Sequence, residues 1–180
     1  MTPLSGEIDD DAAAVPPRPA TTEATDGRRI VGIISDTHGL LRPQALAALR
    51  GSDLIIHAGD VGNADLLEPL RALAPTVVVR GNVDSGPWAL ALPMTELVDV
   101  GGRLFHVLHD IAQLDLDPAA AGVAAVVFGH SHKPSIATRD GVLYLNPGSA
   151  GPRRFDLPVS VARVRVTGRE LLPEIVQLSV

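Results

Sequence analysis

From residue 28 onward the chain alternates short apolar runs with stretches whose leucines return at helical spacing. Residues 29–35, RIVGIIS, are apolar and β-branched on both parities, the pattern of a strand covered on both faces. RPQALAALR (42–50) follows, with Pro43 at the start of a leucine-periodic segment, which predicts a helix. DLIIH (53–57) reads as a second buried strand, NADLLEPLRALA (63–74) as a helix ended or kinked at Pro69, and TVVVR (76–80) as a third strand. This β-α-β-α-β order predicts a parallel sheet with right-handed crossovers.

The second half is patterned differently. TELVDV and RLFHVLH flank Gly101-Gly102 and predict a hairpin. A helical patch is expected over 117–122, before the buried strand AAVVFGH (124–130). SIATRDGVLYLN (135–146) turns at Asp140-Gly141, and the alternating run 158–180 turns at Thr167-Gly168. The expectation is an α/β fold of two packed, mixed sheets flanked by helices. It occupies residues 28–180, behind a disordered Pro-, Ala- and acid-rich leader over 1–27.

Composition narrows the chemistry. The 180 residues contain no cysteine, which excludes disulfides and thiolate metal sites. Any metal must be held by His, Asp, Glu, Asn or water. With a net charge of −6 overall and −5 in residues 1–27, residues 28–180 carry only −1. That balance gives no basic excess for duplex nucleic acid. No apolar run approaches the roughly 20 residues of a membrane span. The N-terminus lacks the order of a secretory signal, so a cytoplasmic protein is expected.

Polar residues collect where the strands end. The first strand runs into Asp36 and His38, the second into Asp60, the third into Asn82 and Asp84. Two later strands run into His109 and into His130 with His132. Ligands of open α/β sheets bind beyond the carboxyl ends of the strands, so these groups are expected to converge. Taken singly, each has a bland reading: Asp36 and His38 as turn residues, Asp60 as a helix cap, Asn82 after Gly81 as a turn former. All five strand ends carrying ligand types together favour a metal site. Oxygen donors mixed with imidazoles suit Mn, Fe or Zn better than Ca or Mg. Seven donors exceed one tetrahedral site, and two ions about 3.5–4 Å apart sharing a carboxylate would use them all. Glycines 39, 59, 81 and 129 beside the donors fit sharp turns or close approach. His57 and His106 read as structural.

The ordered motifs DTH, GD, GN, His109 and GHSH, from Asp36 to His132, resemble the calcineurin-like metallophosphoesterase superfamily. LNPGS at 145–149 is similar to a signature of its small prokaryotic phosphodiesterase branch. The resemblance implies a two-sheet α/β sandwich and a dinuclear phosphodiesterase acting on small phosphodiesters through hydroxide held between two ions. It assigns Asp36, His38 and His132 to one ion, Asn82, His109 and His130 to the other, and Asp60 to both. Manganese is the expected metal, with iron, zinc, nickel and magnesium as alternatives. The chain departs from the superfamily at Val83, where many members carry a histidine that assists the leaving group, and at Asp110, where glycine is usual. Asp84 is expected to support a neighbouring ligand, and Arg153, with Arg154 beside it, to reach phosphoryl oxygens. Rival readings are a phosphomonoesterase and a non-catalytic scaffold on the same fold. Exposed edge strands would allow a homo-oligomer.

Overall fold

The computed structural model describes residues 27–180, so residues 1–26 of the expected leader lie outside the described residues. Among the described residues ten strands form two five-stranded sheets. The first has the order β10-β9-β1-β2-β3 and the second β4-β5-β6-β8-β7. In the first, β1 (Arg28–Ile34), β2 (Leu54–His57) and β3 (Thr76–Val78) are parallel, as the β-α-β-α-β reading requires. The hairpin of β9 (Ser160–Thr167) and β10 (Glu170–Gln177) extends this sheet antiparallel to β1. Pro173 lies in β10, an edge strand, where a missing N–H costs least. In the second sheet, β5 (Arg103–Leu108), β6 (Val123–Val127) and β8 (Val142–Asn146) are parallel. Antiparallel β4 (Thr95–Val100) and β7 (Ser135–Arg139) border them.

Each sheet buries the face that its alternation assigns. Val31, Ile33 and Ile56 pack across the sandwich against Phe105, Val107, Ala125 and Leu145, all fully buried. Ile34 and Ile55 point the other way, onto α1 (Pro43–Leu49) and α2 (Leu67–Arg71). Because β1 is covered on both sides, its run shows no polar alternation. Burying each such aliphatic side chain contributes about 1.5–3 kcal/mol, and this core fixes where the strands end. Pro69 sits in the first turn of α2, which begins after a 3-10 turn at Ala64–Leu66, so the proline shapes a start rather than ending the helix.

One local expectation is corrected, and one short element was not foreseen. Residues 117–122 form successive turns rather than a helix. Asp117 caps them by accepting from the Ala119 and Ala120 amides, and the chain enters β6 directly. A four-residue helix, α3 (Pro87–Leu90), follows β3 and is too short to show a period.

Candidate metal centre

The carboxyl ends of β1, β2, β3, β5 and β6 lie together, and the seven expected donors form one continuous chain of contacts. Asp36 Oδ1 lies 3.2 Å from His132 Nε2, which lies 3.1 Å from His38 Nε2. His38 Nε2 lies 3.8 Å from Asp60 Oδ2, and the other carboxylate oxygen of Asp60 lies 3.3 Å from His109 Nε2. Asn82 Oδ1 closes the chain at 3.0 Å from both His109 Nε2 and His130 Nδ1. Two subsets have donor atoms mutually within 4.8 Å: Asp36, His38 and His132, and Asp36, Asp60 and His109.

These positions are costly for the backbone. Seven non-glycine residues among the described ones have positive φ, and five of them are Asp36, His38, Asp60, His130 and His132. Each left-handed residue costs about 1–2 kcal/mol, so neighbours must hold it there. The loops after β1 and β2 run side by side, the Asp36, His38 and Gly39 amides donating to the Gly59, Asp60 and Val61 carbonyls. Gly81 carries the close approach behind Asp60: a Cβ there would overlap the Asp60 backbone nitrogen and Oδ1. Asp84 accepts from the Gly62 and Gly81 amides at 2.8 Å each, tying the loops that carry Asp60 and Asn82. Its support therefore goes to loop backbone, not to a donor side chain.

The sequence reading understated the LNPGS segment. Asn146, fully buried, donates from Nδ2 to the Gly129 carbonyl at 2.7 Å and to Ser131 Oγ at 3.1 Å, bracing the loop of His130 and His132. Ser149 Oγ donates to the Asp36 carbonyl at 2.9 Å. The motif was visible, but the Ser149 contact spans 113 residues and needs the fold. His57 is fully buried, with Nε2 3.0 Å from Thr37 Oγ1. His106 is buried, with neither ring nitrogen hydrogen-bonded among the described residues. Arg153 donates to the Val180 carbonyl at 3.5 Å and bonds to no donor of the cluster.

The electrostatics suit a cation. Buried Asp36 Oδ1 has no hydrogen-bond partner among the described residues, an expensive orphan unless a cation faces it. The Nδ1 side of His109 meets the Ala58 carbonyl at 2.7 Å, which fixes the proton there and turns Nε2 toward Asp60 and Asn82. Burial pushes the Asp60 carboxyl up, but hydrogen bonds from His109 and the Val83 amide outweigh it and leave it below the usual carboxylate range. Burial likewise opposes the charge on His109, but Asp60 and the Ala58 carbonyl raise its proton affinity above the ordinary imidazole value. For His38 burial prevails and the affinity is lowered, with the charges of Arg154 and His132 adding to it. Clustered carboxylates and imidazoles with orienting partners are what a hard or borderline divalent cation selects.

This geometry brings together candidate metal ligands at one end of a two-sheet sandwich. The chain belongs to the calcineurin-like phosphoesterase superfamily, whose domain model matches residues 30–169. It is 33% identical over 160 residues to a probable metallophosphoesterase of Methanothermobacter thermautotrophicus, covering 82% of this chain and 92% of that one. A probable metallophosphoesterase of Methanocaldococcus jannaschii is 36% identical over 136 residues, 68% of this chain and 69% of the relative. Among solved structures the fold matches an archaeal phosphodiesterase with TM-score 0.69 at 20% identity, covering 82% and 99% of the two chains. It also matches Vps29 of Chaetomium thermophilum, with TM-score 0.68 at 17% identity, covering 83% and 97%. No helix among the described residues is long and apolar enough to cross a membrane.

Proposed function

We propose that the chain is a dinuclear metal-dependent phosphodiesterase for small phosphodiesters. Family membership supports phosphoester hydrolysis as its activity. The observation that carries the finer reading is the continuous contact chain from Asp36 to His130, with the two oxygens of Asp60 facing different imidazoles. Asp36, His38 and His132 would hold one ion, Asn82, His109 and His130 the second, and Asp60 both. Manganese fits the mixed oxygen and imidazole donors. When bound, such ions supply an acidified water and positive charge for the phosphoryl oxygens.

The protein's own groups do the rest. The left-handed loops fix the donors before substrate arrives, so little reorganisation remains at the reacting centre. Val83, exposed beside Asn82, has no proton to give a leaving group. A diester has a single negative charge to neutralise and leaves through one alcohol, so a site without that proton donor favours esters with acidic leaving groups.

The test is hydrolysis of an aryl phosphodiester and the matching monoester after chelation and reloading with manganese, alongside a His130→Ala variant. Diester turnover is expected to vanish on chelation, return with manganese, and fall at least about a hundredfold in the variant. Monoester turnover exceeding diester turnover would make the chain a phosphomonoesterase. No turnover with two ions bound per chain would favour a scaffold.

A further inference from the structure

The outer face of the first sheet is only partly covered. The seven residues of α1 span about 10 Å, whereas the eight-residue strands β9 and β10 each run about 26 Å, so the helix shields one end of their outer face. Arg163 marks where the cover stops: its guanidinium donates to the Ala48 and Arg50 carbonyls at the close of α1, at 2.8 and 3.1 Å. Beside it lies a groove of about 420 Å³. The strand register explains what lines it. Ile30, Arg165 and Leu172 stand abreast on β1, β9 and β10, and Gly32, Arg163 and Glu174 form the next row on the same face. Arg28, two residues before Ile30, completes the cationic end.

The groove is both cationic and apolar. Three arginines line it against one glutamate, and Ile30, Leu172 and Val176 supply its apolar surface. Leu172 is 43% exposed, and the Arg28 and Arg165 side chains have no hydrogen-bond or ion-pair partner among the described residues. An apolar stripe between unpaired guanidiniums fits an anionic, partly apolar partner. The chain itself carries such a segment. Residues 1–26 hold six carboxylates against Arg18, and within them 7–15, EIDDDAAAV, sets four of those carboxylates beside Ile8 and Val15. This stretch leads into the sheet at Arg28, itself a wall of the groove. Twelve residues, 16–27, separate Val15 from Arg28, and their reach of up to about 40 Å exceeds the three-strand width of the groove, about 10 Å.

We infer that residues 7–15 dock in this groove, their carboxylates against the unpaired Arg28 and Arg165 and their apolar side chains against Leu172 and Val176. Each exposed charge pair contributes little alone, but the tether holds the segment at a millimolar effective concentration, so weak contacts suffice. The docked segment covers the stretch of sheet that α1 leaves bare. It also neutralises a patch that would otherwise attract foreign polyanions. Arg28 opens β1 whereas Asp36 follows its last residue, so the contact stands apart from the metal centre and from the proposed hydrolysis.

The experiment is paramagnetic broadening in the full chain. With no native cysteine, Ala12→Cys accepts a single nitroxide, and amide resonances of an isotopically labelled sample are compared with the nitroxide oxidised and reduced. Broadening is expected at Arg28, Arg165, Leu172 and Glu174, and not at Ala112, whose neighbour Ile111 packs on the outer face of the second sheet. Arg165→Glu should lower the ratio of docked to undocked segment about fivefold, and Asp9→Asn, Asp10→Asn and Asp11→Asn together by at least about as much. Added salt should act in the same direction. Arg165 is exposed, so the thermal midpoint of its variant should stay at the wild-type value. Broadening absent from the groove, equal at Ala112, or unchanged in the asparagine variant overturns the docking. A nitroxide-bearing chain mixed with an isotopically labelled chain lacking nitroxide separates the remaining case. Groove broadening in that mixture seats the segment of a second copy there and overturns the contact within one chain; its absence supports it.

Discussion

The two ends of the sandwich solve the same problem in opposite ways. At the end away from the cluster, the chain reverses through Gly101-Gly102, Gly122, Asp140-Gly141 and Thr167-Gly168. These glycines have φ between +57° and +78°, and a Cβ on Gly102, Gly122, Gly141 or Gly168 would meet nothing within 4 Å. At the cluster end the left-handed residues include Asp36, His38, Asp60, His130 and His132, while Gly62, Gly81, Gly129 and Gly151 are crowded by loops distant in sequence. Far-end turns are local solutions that need only a flexible backbone. Near-end loops are jointly determined, with Gly59, Gly62, Gly81, Gly129 and Gly151 each making room for a neighbouring loop. Strain is thus concentrated where chemistry is expected, and the relaxed turns sit where none is.

The largest effect that would break this contrast is at Gly81. Gly81→Ala forces a methyl into the Asp60 backbone and should cost about 3 kcal/mol, as overpacking of a rigid site does, with loss of metal uptake. Denaturant midpoints and bound metal per chain measure both; a stable variant with full uptake would make the cluster end as tolerant as the far end.

Acid sharpens the contrast next. Burial first, against the opposing charges of Asp36 and Asp84, holds the fully buried His57 at a pKa of about 4, below the ordinary 6.5. Between those values the unfolded chain binds more protons than the folded one. Stability conferred by this group is therefore full above pH 6.5 and falls toward pH 4, by up to about 3 kcal/mol. Melting of the chelated protein across that window, compared with His57→Gln, checks it. An equally steep loss in the variant assigns the acid sensitivity elsewhere.

The smallest effect belongs to the far end. Gly141→Ala, at φ +78° in open space, should cost about 1 kcal/mol and leave metal uptake and turnover unchanged. A change in metal affinity there would mean that the two ends communicate.

What the sequence disclosed follows the same division. Strands β1, β2, β5 and β6 announced themselves as apolar runs, and the polar types at their carboxyl ends marked the residues that the fold brings together, because that placement is a property of the chain itself. The hairpin turns at Gly101, Asp140 and Thr167 were equally legible, each being set by a dipeptide. The helix expected at 117–122 failed because three alanines between Pro118 and Gly122 cannot repay nucleation before β6 begins. The amides that donate to Asp84 and the reach of Asn146 depend on loops brought together only in three dimensions. No local pattern carries them.

One feature of the centre reaches beyond hydrolysis. Asp36, His38, Asp60 and Asn82 follow strands of one sheet, whereas His109, His130 and His132 follow strands of the other. On the proposed assignment, either ion would draw donors from both sheets and act as a cross-link between them. A ligand at a hundred times its dissociation constant adds about 2.7 kcal/mol to the folded state. Cation supply would then govern the lifetime of the polypeptide against proteases as well as its turnover of substrate.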